Sequence, residues 1–301
     1  MTDRQRDWVT ALLRLGLLLV LWGMVFAAEI RAAIRIWDSS TAYAHCWLVL
    51  PVALWLGWQR RGRLAALRPA PNLLLALPGL AAGLAWLLAE HLGLMEGRQL
   101  AALGLAWVLA LAVLGLPVCR ALAVPLLYLV FLVPFGAFLV PALQRITAAM
   151  IELGLRIGGI PHYVDALVIE IPAGRFLVAE ACAGLRFLIA ALAFGALYAA
   201  EMFRSPGRRL VVLVLSLVVP IVANGVRALG IVLVGHYHGS AEAAAADHVI
   251  YGWVFFSVVI LVLVLAGLPF REEAARPACQ ESLRRPGVAP RVTSQATDIT
   301  S

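Results

Sequence analysis

The chain has 301 residues, 63% of them hydrophobic and 14% charged, with a mean hydropathy of +0.93. A water-soluble domain of this length could not cover that much apolar surface, so the bilayer must be its solvent. The net charge of +7 comes from arginine alone, without any lysine, and those arginines cluster in short loops rather than along one groove. That placement excludes a nucleic-acid partner and reads as a topology signal.

Apolar segments of spanning or near-spanning length run over 8–28, 46–58, 72–89, 99–117, 121–143, 183–203, 209–235 and 249–269. Each is judged against the roughly 20 residues a span needs, and the second is short. The first lacks a small-residue cleavage site and reads as an uncleaved helix. An even number of spans puts both termini on one side. Arg4, Arg6, Arg60, Arg61, Arg63, Arg68, Arg120, Arg204, Arg208, Arg209, Arg271 and Arg276 share that side, which the positive-inside rule makes the cytoplasm. The fourth and fifth spans must then join in a tight turn at Pro117 to Arg120.

The largest outer loop covers 144–182. Gln144 to Ile157 alternates Ile146, Met150, Ile151, Leu153 and Leu155 with Arg145, Glu152 and Arg156, which predicts a short amphipathic helix lying on the outer surface. Tyr163 to Ile171, a turn at Pro172 to Gly174, and Arg175 to Ala181 predict a β-hairpin ending on Cys182. The expected fold class is an all-α integral membrane protein of about eight transmembrane helices, carrying that amphipathic helix and hairpin before the cysteine. It divides into a polytopic membrane domain, 1–270, and a polar, disordered cytoplasmic tail, 271–301.

Cys182 stands where the loop enters the sixth span, in Glu180-Ala-Cys-Ala-Gly-Leu-Arg186. A helix N-terminus stabilises a thiolate, and its free N–H groups can hold an oxyanion. Arg186, four residues on, would share a helical face with the thiol, and Glu180 flanks it. Arg227 lies inside the seventh span, where an arginine costs at least about 2.5–3.5 kcal/mol and needs a polar cavity with a partner. Asn224 shares its face; the bland alternative is snorkelling to the headgroups. His248 begins the eighth span beside Asp247, and imidazole suits proton transfer to and from a thiol.

Cys46, next to His45, is the rival nucleophile, but no arginine accompanies it. A Cys46–Cys182 disulfide is an alternative in an oxidising compartment. The four cysteines contain no CxxC. His236 and His238 with His248 would make only a weak zinc motif, so no metal and no cofactor are expected.

Three segments carry a family resemblance: Val178-Ala-Glu-Ala-Cys182-Ala-Gly-Leu-Arg186, Ala223-Asn-Gly-Val-Arg227 and Asp247-His-Val-Ile-Tyr-Gly-Trp-Val-Phe255. With His45, Leu48 to Pro51 and Arg60-Arg61, they resemble the exosortase family, most nearly its exosortase A type, over about residues 1–270. The resemblance implies a cysteine peptidase and transpeptidase of the Gram-negative inner membrane, working at the periplasmic face. Its implied substrates are secreted proteins with a C-terminal PEP-CTERM signal, and its context is exopolysaccharide and extracellular matrix production. Cys182 would be the nucleophile, Arg227 the stabiliser of developing charge and His248 the acid and base, with Arg186, Asn224, Glu180 and Asp247 in support. The implied partners are the PEP-CTERM substrates, the lipid bilayer and an acceptor nucleophile the sequence does not identify. Two departures are Ala183, where the family has serine, and Cys46, where glycine is common. A transporter or flippase for a lipid-linked saccharide is the competing function, and a non-enzymatic scaffold a third.

Overall fold

A computed structural model describes residues 2–238 and 248–272, and their side chains except at 238 and 248–253. Residues 273–301, most of the expected tail, lie outside the described residues. Thr2 caps α1 (Asp3–Val25) by accepting from the Gln5 N–H, and the Gln5 side chain accepts from Thr2 in return. Then follow α2 (Ala27–Ser39), α3 (Cys46–Gln59), α4 (Arg61–Ala66), α5 (Pro78–His91), α6 (Met95–Leu114), α7 (Leu116–Ala121) and α8 (Ala123–Tyr128). The second half contains α9 (Val140–Ile157), strands β1 (Tyr163–Asp165), β2 (Val168–Ile171) and β3 (Gly174–Leu177), then α10 (Leu185–Met202), α11 (Pro206–His238) and α12 (His248–Gly267). Among the described residues, six helical stretches are long and apolar enough to cross a membrane, and three shorter apolar ones accompany them.

The all-α membrane architecture is as expected, with local differences. The span expected over 121–143 is broken. After α8 a 3-10 turn ends at Leu132, and the chain bends through Val133 to Gly136, where Gly136 takes φ +117°. Pro134 disfavours helix at Val133 and lacks the N–H to continue one. The helix that resumes as α9 absorbs the segment expected to lie on the membrane surface. It is amphipathic, but its buried side (Leu143, Thr147, Ala148, Ile151, Leu155) packs on protein. The hairpin gains a third strand because the chain turns at Ala166, with φ +52°, between β1 and β2. Arg31 and Arg35, between the first two expected spans, belong to helix α2.

Several polar side chains within the apolar bundle tie helices together by pairing in protein, as a bilayer favours. The Trp22 indole donates to the Ala102 carbonyl at 2.8 Å. Buried Glu29 of α2 accepts from Arg98 at 2.6 Å and from Trp86 at 3.1 Å, tying α2 to α5 and α6.

The antiparallel sheet lays Ile169 and Ile171 onto Ala148, Ile151 and Leu155 of α9 and Ala228 and Val232 of α11. Small residues bring α9 and α11 close: a Cβ on Gly154 would lie 2.2 Å from Leu229, and one on Gly225 would lie 2.3 Å from Met150. Gly195 of α10 admits Ser216 of α11 in the same manner. Gly154→Ile should overpack this crossing and cost about 1–3 kcal/mol. Thermal unfolding of the detergent-solubilised protein checks this, with a lowered midpoint expected.

Candidate active site

Cys182 closes a 3-10 turn, Glu180–Cys182, that connects β3 to α10. Its N–H donates to the Ala179 carbonyl at 2.9 Å, and the Ala183 N–H donates to Glu180 at 3.0 Å. Gly184 then takes φ +80°, and α10 starts at Leu185 without a side-chain cap. The helix N-terminus expected next to the thiol is there, with first-turn N–H groups that no side chain satisfies. The expected i,i+4 relation between Cys182 and Arg186 does not hold, because the left-handed residue separates Cys182 from the helix. Arg186 instead lies over the Phe187 ring, 5.2 Å from its centroid. Glu180 is exposed on the turn.

Two residues of α9 grip the segment leading to the thiol. Gln144 donates to the Val178 carbonyl at 2.8 Å. Thr147, one turn on and buried, accepts from the Asn224 carboxamide at 3.2 Å. The same Asn224 nitrogen donates to the Cys182 carbonyl at 2.8 Å, and its oxygen accepts from Arg227 at 3.2 Å. Gly184 is required here for space as well as for conformation, since a Cβ would lie 2.5 Å from the Asn224 side chain.

Arg227 is only 7% exposed, which rules out snorkelling. Its guanidinium lies against the Cys182 thiol, with charge and hydrogen-bonding interaction between them, within electrostatic reach of Arg186 and 5.5 Å over the Phe187 ring. Among the described residues its Nε and Nη1 have no hydrogen-bond partner. Two buried, unmet donors beside a thiol suit an oxygen that arrives with a substrate.

The structure brings together Cys182, Asn224 and Arg227. Phe256 of α12 stacks on Phe187 at 4.8 Å, which docks α12 beside this cluster. His248 begins that helix, about two turns before Phe256. The His248 side chain and all of Asp247 lie outside the described residues.

Cys46 is elsewhere. It is 1% exposed, its thiol donates to the Phe131 carbonyl at 3.2 Å, and His45 Nε2 lies 3.9 Å away. Cys46 and Cys182 are both free thiols. Among the described residues no three His, Cys, Asp or Glu side chains gather as for a metal; the His238 side chain lies outside that set. Sequence reasoning missed Gln144, Thr147 and Phe187. The first two were findable as polar residues at i, i+3 on the apolar side of an amphipathic helix; Phe187 carried no signal.

A family model described as transmembrane exosortase matches residues 37–265. No curated protein and no solved structure matches the chain.

Gly184→Ala should force a left-handed alanine against Asn224, costing at least about 1–2 kcal/mol for the conformation alone. It is expected to lower both the thermal midpoint and the rate at which Cys182 is alkylated. Equal alkylation rates in the variant and the parent would mean that Gly184 does not set the position of the thiol.

Proposed function

As a member of the transmembrane exosortase family, the chain belongs with membrane-embedded sorting transpeptidases, and we propose that it is one of the exosortase A type, with Cys182 as nucleophile. Its substrates are secreted proteins bearing a PEP-CTERM signal, and its setting is exopolysaccharide and matrix production. It resides in the bacterial inner membrane with both termini cytoplasmic and the site at the periplasmic face. The observation that carries this reading is the buried Arg227, with two donors unpartnered among the described residues, next to a cysteine that Asn224 holds by its carbonyl.

The proposed reaction is acyl transfer. His248 takes the proton from the Cys182 thiol, and the thiolate forms a C–S bond to the scissile carbonyl carbon. The carbonyl electron pair moves to oxygen, where Arg227 Nε and Nη1 and the first N–H groups of α10 receive the charge. Collapse breaks the C–N bond, and the leaving amine takes the proton from His248. The thioester then yields its acyl group to an acceptor amine or to water, which restores the thiol. An apolar groove of about 990 Å3 between α11 and α12 runs from Arg208 up to Ala223, the neighbour of Asn224. A substrate's own membrane helix lying there would present its end to Cys182.

Processing of a co-expressed PEP-CTERM reporter, normalised to enzyme level, tests this. Cys182→Ala should abolish it, and Arg227→Ala and His248→Ala should lower it about 100- to 1,000-fold. Cys46→Ala should process normally. Full processing by Cys182→Ala would end the proposal, and if Arg227→Ala alone were inactive the competing transporter for a lipid-linked saccharide would take its place.

A further inference from the structure

The sheet ends at β3, and β3 leads into Cys182. In the β2–β3 pairing Phe176 faces Ile169 and Gly174 faces Ile171, and the Val178 N–H donates to the Leu167 carbonyl at 2.9 Å. Alternation in an antiparallel ladder therefore turns the backbone groups of Gly174, Phe176 and Val178 toward β2, and those of Arg175 and Leu177 away from it. On the outward side the Leu177 carbonyl accepts from the Ala179 N–H at 2.9 Å. Among the described residues the Arg175 N–H, the Arg175 carbonyl and the Leu177 N–H have no partner.

From this edge we infer that β3 binds the substrate as an added strand, with an extended polypeptide pairing along Arg175 to Leu177 and delivering its scissile bond to Cys182. The inference rests on the cysteine-peptidase reading above and specifies how that site takes its substrate. A row of donor, acceptor and donor at strand spacing matches a peptide backbone, whereas a lipid-linked sugar has no such repeat. Among the described residues the edge is also unguarded. Natural edge strands are commonly blocked by proline, bulges or projecting charge. β3 has no proline, and the Arg175 guanidinium is paired across the sheet with Glu170 at 2.5 Å.

The strand is anchored from behind. Phe176 packs into the cluster formed by α9 and α11, and Gln144 holds the carbonyl of Val178. Leu177 is 64% exposed, so among the described residues its side chain is uncovered on the sheet face. From Leu177 to Cys182 the chain spans at most about 17 Å. A peptide paired on β3 thus reaches the thiol within a few residues.

Leu177→Pro is the test, because it removes an outward N–H while leaving the β2–β3 ladder bonds in place. Leu177→Ala keeps the N–H and isolates the contribution of the side chain. The expected result is a kcat/KM for reporter peptide at least about tenfold lower in the proline variant than in the alanine variant. Alkylation of Cys182 by a membrane-impermeant maleimide should proceed at equal rates in both, in a background lacking the other cysteines. Equal kcat/KM values would overturn strand addition. If the proline variant alkylates abnormally, the decision passes to wild-type enzyme and substrate peptides N-methylated one residue at a time. Loss of affinity at every second position supports pairing, and a pattern without that period refutes it. Inactive Cys182→Ala together with a fully active proline variant would reject the strand alone, whereas active Cys182→Ala would reject the peptidase reading itself.

Discussion

The carboxamide of Asn224 ties together three parts of the chain that are distant in sequence. Its nitrogen donates to the Cys182 carbonyl at 2.8 Å and to the Thr147 hydroxyl at 3.2 Å, and its oxygen accepts from Arg227 at 3.2 Å. Turning the amide over would set donor against donor at Arg227 and acceptor against acceptor at Cys182. With water excluded, each unmet group would cost about 1–3 kcal/mol, so a single orientation is selected. The packing serves this contact. Gly184 has no Cβ to strike Asn224, and Gly225, the next residue, lets α9 approach closely enough for Thr147 to reach it.

An amide at this position has a chemical consequence. A carboxylate would neutralise Arg227 and take up more of its donors; the neutral oxygen of Asn224 engages only one nitrogen. Among the described residues Nε and Nη1 are left over and buried, on a guanidinium within electrostatic reach of the thiol. In the proposed reaction those donors meet the developing oxyanion, and the outward edge of β3 aligns the peptide that carries it. Positioning and charge stabilisation would thus come from different elements, the sheet and α11, both braced on α9.

Much of this was legible in the sequence because membrane proteins obey a small set of rules strictly. Twenty-residue apolar runs and an arginine inside one of them give spans and a polar cavity almost directly. The linkage of Arg227 with Asn224 followed from helical spacing alone. The break at Val133 to Gly136 was harder to see, because proline signals a boundary only when its surroundings do not re-satisfy the freed backbone. The tertiary role of α9 was hidden more deeply. Its amphipathic pattern suits a membrane surface or a protein groove equally well, and only the glycines at 154 and 225 decide for the groove. The Arg186 relation failed because one left-handed glycine breaks the helical count between it and Cys182. The resemblance to exosortases, read from three short segments, agrees with the family match over 37–265.

In the proposed reaction Cys182 becomes covalently acylated. Mass spectrometry of the detergent-solubilised enzyme, quenched in acid during turnover of a substrate peptide, reads this directly. The expected result is a hydroxylamine-labile adduct on Cys182, with the mass of the substrate's N-terminal portion and absent from Cys182→Ala. Substrate turnover without that adduct, or with it on Cys46 instead, would contradict acylation at Cys182.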